Sequence, residues 1–169
     1  MSNIQLIIEE RAADIGKFLV GRLLPFRQKR MIGPFIYIDH MGPIKLNERE
    51  QMDIRPHPHI GLATVTYLLK GRIHHRDSLG TDAWITPGEV NLMQAGRGIT
   101  HSERMDGPAR AAPQSLFGLQ TWLALPKANE DDPAAFHNAR AAALPVLEAE
   151  GISLRLILGH GWGERVALP

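Results

Sequence analysis

Two short segments decide how this chain folds and what it can bind: Arg55-Pro56-His57-Pro58-His59 and Gly96-Arg97-Gly98-Ile99-Thr100-His101-Ser102-Glu103. Side chains of an extended strand alternate between its two faces, so the two histidines of the first segment share a face, and His101 and Glu103 of the second also share one. Two such pairs opposed across a β-structure would supply three imidazoles and one carboxylate. Atoms of these kinds are ligands for divalent metal ions.

The residues between the candidate ligands suggest where the segments lie. Pro56 and Pro58 cannot donate to a strand ladder, so the first segment is predicted to lie at a sheet edge or at the start of a strand. Gly96 and Gly98 let the backbone turn sharply before His101. Both features suit ligands held at the mouth of a barrel.

Composition narrows the classes of function. The chain has 169 residues, 44% hydrophobic and 22% charged, which fits one domain with a packed core. A net charge of +1 without a basic stripe argues against direct nucleic-acid binding. No cysteine is present, which excludes thiolate metal sites and cysteine nucleophiles. No stretch predicts a membrane span, and Glu9 and Glu10 interrupt any leader-like apolar run, so a cytoplasmic location is predicted.

Short apolar runs separated by glycine and proline predict an all-β protein with antiparallel strands. One domain over residues 1–169 is expected, with a core barrel at about 4–125, an extension at 126–169 and a short helical segment at Ala134–Ala143. The predicted strands are Ile4–Ile8, Phe18–Leu24, Phe35–His40, Thr64–Leu69, Ile73–Arg76, Val90–Met93, Thr100–Arg104, Leu116–Leu125 and Ser153–Leu158. The segment Asp82–Glu89 is predicted to be a further strand followed by a Pro-Gly turn.

Ordinary structural roles compete with the metal hypothesis. A single His-x-His pair is as well explained by strand packing, and only the second pair favours a metal site at His57, His59, His101 and Glu103. His74 and His75 are adjacent on a strand and face opposite ways, so they are not expected to bind that ion. Trp84 and Trp122 are predicted to pack in the core.

Five blocks of the sequence, in this order, resemble the pirin family of the cupin superfamily: Met31–Phe35, Asp39–Pro43, Arg55–Gly61, His75–Gly80 and Ala95–Glu103. The resemblance implies a jelly-roll β-barrel and carries the family's metal ligands onto His57, His59, His101 and Glu103. It implies Fe(II), the family's usual metal, although Mn, Ni, Cu and Zn also suit nitrogen and oxygen ligands. Ala63 departs from the pattern, since many relatives have a glutamate there.

The resemblance implies two alternative functions. One is a quercetin 2,3-dioxygenase-type enzyme, with a flavonoid-like small molecule as substrate and Glu103 as the catalytic base. The other is a non-catalytic metal or redox sensor that binds a protein partner. Pirins usually have two cupin domains and only the first is recognisable here, so the apolar surface expected on a lone domain predicts a homodimer.

Overall fold

The computed structural model describes residues 3–16, 18–46, 53–105 and 114–169, and in these ranges the chain is almost entirely strand and connecting turn. Two short 3₁₀ helices lie at Lys127–Asn129 and Ala141–Ala143. The strands are β1 (Arg11–Asp14), β2 (Leu19–Leu24), β3 (Phe35–Leu46), β4 (Asp53–His59), β5 (Leu62–Lys70), β6 (Ile73–Asp77), β7 (Asp82–Ile85), β8 (Val90–Gln94), β9 (Ile99–Arg104), β10 (Gln114–Ala124), β11 (Ala135–Ala139), β12 (Val146–Ala149), β13 (Ile152–Arg155), β14 (His160–Gly161) and β15 (Glu164–Arg165).

Two antiparallel sheets form the body of the molecule. The larger has the order β1-β2-β3-β10-β5-β8-β11 and the smaller the order β4-β9-β6-β7, with two hairpins, β12-β13 and β14-β15, near the C-terminus. The sheets pack through a buried cluster to which the large sheet contributes Met41 and Leu68 and the small sheet Ile73 and Ile85. This arrangement confirms the predicted all-β, jelly-roll class.

The strand predicted at Ile4–Ile8 is wrong, because the first strand of the described residues is β1. β1 pairs with β2 in a tight hairpin in which Asp14 lies opposite Leu19. A short connection costs little closure entropy, so β1 pairs readily with β2. The edge of β2 is then already paired with β1 and is not available to a strand at Ile4–Ile8. Ile4 and Ile7 are exposed as a result.

The helical prediction for Ala134–Ala143 is also wrong over most of its length. Residues Ala135–Ala139 form β11, which pairs with the edge of β8, and only Ala141–Ala143 make a single 3₁₀ turn. The exposed edge of β8 offers backbone groups that need partners, and Phe136 packs against the cluster around buried Met93. Pairing and packing therefore override the helix propensity of alanine.

The other strands were located correctly and differ mainly in length. β3 continues to Leu46 and β10 begins at Gln114, so these two strands are longer than predicted and form the most extensive pairing in the large sheet. The final predicted strand shrinks to Ile152–Arg155 in a separate hairpin. No helix among the described residues is long and apolar enough to cross a membrane.

Gly96 fixes the turn that leads into β9. Its φ is +49°, and a Cβ at this position would overlap the carbonyl oxygen of Asp132. That carbonyl accepts a hydrogen bond from the backbone N–H of Arg97 at 2.9 Å, and the Gly96 carbonyl accepts one from Gly61 at 2.8 Å. The entry to β9 is thus tied to two neighbouring segments, and only glycine fits there.

Changing Gly96→Ala is expected to lower the free energy of unfolding more than Gly33→Ala. Both glycines have a positive φ, +49° and +53°, which costs an alanine about 1–2 kcal/mol. Only Gly96 adds a clash with backbone, since nothing lies within 4 Å of a Cβ built on Gly33. Urea unfolding of both variants measures the difference, and equal losses would contradict the clash.

Candidate metal centre

The pairing of β4 with β9 brings the two sequence segments together. In this ladder His57 lies opposite His101 and Ile54 lies opposite Glu103, with an irregularity between the two pairs. β4 is the edge strand of the small sheet, as its two prolines predicted. This register places His57 and His59 on the same face of the small sheet as His101 and Glu103.

Three imidazoles converge at this point. Ring nitrogens of His57, His59 and His101 all lie within 4.8 Å of one another, and the rings of His59 and His101 are buried. Nε2 of His59 is 3.1 Å from Nε2 of His101. Two nitrogens that bind one ion at about 2.1 Å, at a right angle, lie about 3.0 Å apart. The observed spacing therefore fits a shared metal ion.

The tautomer of His57 is also suited to metal binding. Its Nδ1 is 2.9 Å from the carbonyl oxygen of Arg55. A carbonyl can only accept, so Nδ1 carries the hydrogen and donates it. Nε2 of His57 is then left with a free lone pair.

Burial keeps the imidazoles of His59 and His101 neutral. Desolvation, together with neighbouring His57, lowers the pKa of His59 to about 4. Desolvation, together with the surrounding imidazoles, lowers the pKa of His101 to about 2. A histidine binds a metal through an unprotonated nitrogen, so these side chains are ready to do so near neutral pH.

Glu103, the fourth predicted ligand, lies on the wall of the same cavity as the three histidines. It does not belong to the group of side chains whose ligand atoms all lie within 4.8 Å, as far as the described residues show. Burial raises the pKa of Glu103 to about 7. In the absence of a metal its carboxyl is thus close to half protonated at neutral pH.

A cavity of about 130 Å³ opens beside the imidazoles. One side is formed by stacked aromatic rings, because Tyr37 of β3 and Trp122 of β10 lie opposite each other, with centroids 4.1 Å apart and planes 12° apart. Trp122 meets His59 edge-on at 5.0 Å, which links the large sheet to the candidate centre. The aliphatic lining residues are Ile15, Val20, Met41 and Ile54.

A polar corner completes the cavity wall. Asp39 accepts two hydrogen bonds from the guanidinium of Arg22, both 2.8 Å long, and one from the hydroxyl of Tyr37 at 2.7 Å. Burial and the bond to Asp39 raise the pKa of Tyr37 above its ordinary value. The hydroxyl therefore stays protonated, and the corner presents fixed groups to whatever occupies the cavity.

The sequence reasoning missed this aromatic and polar wall. The sequence predicts Trp122 in the core and indicates no role for Tyr37 or Asp39. A signal was present, since Tyr37, Asp39 and Met41 alternate along β3 and therefore share one face. Trp84, also assigned to the core, is 37% exposed and stacks on the ring of His74.

His74 and His75 face opposite ways, as predicted. His74 stacks on Trp84 and lies 2.6 Å from Asp82. His75 pairs in register with Glu103 and lies against His101, with 3.3 Å between the two Nδ1 atoms. The sequence did not reveal this contact, because it depends on β6 being the neighbour of β9.

Ala63 lies away from the candidate centre. It is buried in an apolar cluster with Val65 and Val90 and does not line the cavity beside the histidines. The missing glutamate of the family pattern is thus replaced here by an apolar contact.

Comparison with known proteins places these features in a family. The family model described as Pirin matches residues 17–123. A pirin-like protein of Caulobacter vibrioides is 48% identical over 98% of this chain and 58% of its own length. A putative quercetin 2,3-dioxygenase of Pseudomonas aeruginosa is 41% identical over 90% of this chain and 47% of its own length. The chain thus spans about half the length of the curated relatives it matches.

Solved structures give the same fold. A quercetin 2,3-dioxygenase from Acinetobacter baumannii superposes with a TM-score of 0.87 and 36% identity, over 95% of this chain and 52% of that one. A bacterial pirin from Escherichia coli, solved in complex with nickel(II), has a TM-score of 0.64 and 23% identity, over 81% and 57% of the two chains. At that identity the second likeness supports the fold alone.

The metal-free protein is expected to lose stability as pH falls from 6.5 towards 4. The folded-state pKa values of His59 and His101, about 4 and about 2, lie below the ordinary 6.5, so in this window the unfolded chain binds protons that the folded state does not. Glu103 has the opposite effect on stability. Between pH 4.5 and about 7 its folded-state carboxyl keeps a proton that the unfolded chain loses, so this group favours the folded state as pH falls. The effect of the histidines is larger, because His59 and His101 are two groups against one. Burial also lowers the pKa of His75, which contributes in the same direction as these two histidines.

Urea unfolding in the presence of a chelator, at a series of pH values, measures the slope of the free energy of unfolding against pH. His101→Asn should make it shallower by about 1.4 kcal/mol per pH unit, the value of one proton. His160→Asn, at an exposed position of β14, should leave it unchanged. An identical slope for wild type and His101→Asn would contradict the assigned protonation states.

Proposed function

The chain belongs to the pirin family, and we propose that it is a metal-dependent oxygenase of the quercetin 2,3-dioxygenase type that acts on a flavonol-like small molecule. One observation carries the proposal: three imidazoles converge on the wall of a cavity whose other walls are aromatic and aliphatic. A site that only had to hold a structural ion would not need such a cavity. The named activity of the relatives in Pseudomonas and Acinetobacter supports the same reaction class.

We assign His57, His59 and His101 as metal ligands and Glu103 as the fourth. The donor set holds nitrogen and oxygen without sulfur, which suits Fe(II) and is compatible with Mn, Ni, Cu or Zn. A bound metal would act as a Lewis acid that polarises a substrate oxygen and makes its hydroxyl more acidic. The other proposed roles, proton transfer and orientation of the substrate, belong to side chains of the protein itself.

Glu103 is the proposed general base. It is buried at the cavity wall, and in the metal-free protein this burial raises its pKa to about 7. It would accept the proton of a substrate hydroxyl placed between it and the imidazoles. The low exposure of the carboxyl limits competing exchange with solvent.

The aromatic wall and the polar corner would orient the substrate. The Tyr37–Trp122 stack on the cavity wall offers an apolar surface for a flat ring, and Asp39 is an acceptor fixed by Arg22. The cavity of about 130 Å³ is smaller than the roughly 300–1,000 Å³ of common ligand sites. We therefore propose that the reacting ring enters the cavity and the remainder of the substrate lies outside its mouth.

A non-catalytic sensor that binds a protein is the alternative function. A sensor of this kind is expected to have a cavity with a closed mouth and an apolar outer surface that binds the partner. Here an apolar cavity lies directly beside the candidate metal ligands.

Changing His101→Ala is expected to abolish stoichiometric metal binding and the thermal stabilisation that metal provides. Protein purified anaerobically and reloaded with Fe(II) should contain about one equivalent in the wild type, as a mononuclear site requires. The control is His160→Ala, which removes an exposed histidine of β14. Full occupancy in His101→Ala would refute the ligand assignment.

Changing Glu103→Gln is expected to lower the rate of oxygen uptake with quercetin by about 10²–10⁴-fold, the usual contribution of a general base. Metal content is measured on the same sample, so that loss of a ligand is distinguished from loss of a base. Glu164→Gln, an exposed carboxyl of β15, is the matched control. Unchanged turnover in a fully loaded Glu103→Gln protein would rule out the proposed role.

A further inference from the structure

His101 lies between two other imidazoles, only one of which belongs to the candidate metal group. On one side its Nε2 faces Nε2 of His59 at 3.1 Å. On the other side its Nδ1 faces Nδ1 of His75 at 3.3 Å. This second contact exists because β6 pairs with β9 along the edge away from β4, with Asp77 opposite His101.

The contact continues into a chain of hydrogen bonds that ends in the backbone. Nε2 of His75 is 3.0 Å from Oδ2 of Asp77. The other carboxylate oxygen, Oδ1, accepts the backbone N–H groups of Leu79 at 2.9 Å and Thr81 at 3.0 Å. Asp77 is therefore fixed by the turn that follows β6.

The turn itself is fastened to β9. The backbone N–H of Ser78 donates to the carbonyl oxygen of Thr100 at 2.8 Å, and the N–H of Thr100 lies 3.2 Å from the hydroxyl oxygen of Ser78. The side chains of His75 and Asp77 are 3% and 0% exposed. His75 also stacks on Phe136, with ring centroids 4.6 Å apart. Burial and these contacts therefore hold the side chains of His75 and Asp77 in place.

Each bond in the chain sets the next one. A carboxylate only accepts, so the hydrogen of His75 lies on Nε2. A neutral His75 then has a lone pair on Nδ1, which can only accept from Nδ1–H of His101. His101 is left with its lone pair on Nε2, on the side of His57 and His59, and in the metal-free protein His59 Nε2 donates to it.

We propose that Asp77 and His75 are positioning residues that fix the tautomer and ring orientation of His101 and so present its Nε2 to the metal. The inference rests on the proposed metal site, because it assigns a purpose to the lone pair of His101. Hydrogen bonds to the second nitrogen of a ligating histidine commonly change metal affinity by about 10–100-fold. His57 has a local partner in Arg55, whereas His101 depends on this chain from a neighbouring strand.

β6 also provides an internal control. His74 and Asp82 form a second histidine–carboxylate pair, 2.6 Å apart, on the opposite face of the same strand. This pair adjoins Trp84 and Arg76, and neither of its members belongs to the group of converging histidines found among the described residues. Asp77→Asn and Asp82→Asn are thus the same chemical change at the same end of the β6–β7 pair but on opposite faces, and only Asp77 is bonded to the chain that reaches His101.

Asp77→Asn is expected to reverse the chain of hydrogen bonds without removing it. Oδ1 of the asparagine keeps the N–H groups of Leu79 and Thr81, so its amide must donate to Nε2 of His75. His75 then carries its hydrogen on Nδ1, and Nδ1 of His101 becomes an acceptor with the hydrogen moved to Nε2. That tautomer must give up its hydrogen on Nε2 before Nε2 can bind a metal, which costs affinity.

The first readout uses the metal-free protein. Long-range ¹H–¹⁵N NMR of the imidazoles should show His101 protonated at Nδ1 in the wild type and in Asp82→Asn, and at Nε2 in Asp77→Asn. Protonation of His101 at Nε2 in the wild type would overturn the proposal. This measurement needs no bound metal and no activity.

The second readout is affinity for Co(II), measured by competition with a chelator and followed by the visible spectrum of the bound ion. Asp77→Asn should bind about 10–100-fold more weakly with an altered spectrum, and Asp82→Asn should match the wild type. Equal affinity and spectrum in Asp77→Asn would overturn the positioning role. Failure of the wild type to bind Co(II), with the predicted tautomers present, would instead refute the metal site proposed above.

His75→Phe decides the matter if Asp77→Asn does not fold. The phenyl ring keeps the stack on Phe136 and removes both ring nitrogens, so the bond to His101 is lost while the turn after β6 retains its bonds to Asp77. The same weakening of Co(II) binding is expected. Wild-type affinity in a folded His75→Phe protein would contradict the proposal.

Discussion

The antiparallel pairing of β4 with β9 is the constraint on which the rest of the site depends. It places His57 directly opposite His101, so two segments separated by about forty residues of sequence meet on one face of one small sheet. Neither segment alone has more than two of the four candidate ligands. Pro56 and Pro58 confine β4 to the edge of the sheet, where missing backbone donors cost nothing. The edge strand therefore carries two of the histidines that line the cavity.

Bringing three imidazoles together in a buried site has an electrostatic consequence. Loss of solvation and repulsion from neighbouring imidazoles disfavour the charged forms of His59 and His101, so the folded protein lowers their pKa values to about 4 and about 2. Neutral imidazoles close to one another still need partners for their N–H groups and lone pairs. The protein provides those partners from outside the group, the carbonyl of Arg55 for His57 and the ring of His75 for His101. A metal ion would satisfy the lone pairs that remain.

Much of this site follows from strand periodicity, and what does not follow depends on strand neighbours. Alternation was enough to predict that His57 and His59 share a face and that His74 and His75 do not. It could not show that β6 lies beside β9, which is what brings His75 to His101, or that β3 and β10 lie together, which builds the Tyr37–Trp122 wall. The errors at Ile4–Ile8 and Ala134–Ala143 have the same origin, since a nearby sheet edge decided both. The four-ligand set including Glu103, the single-domain division, the homodimer and the cytoplasmic location stay predictions.

The register of β6 decides which of two similar histidine–carboxylate pairs can support the centre. Ile73, His75 and Asp77 lie on the inner face, where Ile73 is fully buried in the cluster between the sheets, while His74 and Arg76 lie on the outer face with Asp82. A slip of one residue would turn every side chain of the strand over. It would take Ile73 out of the core and place the guanidinium of Arg76 inside, both at a high cost in free energy. The apolar contact of Ile73 at the start of the strand therefore selects the hydrogen bond that His75 makes with His101 at its other end.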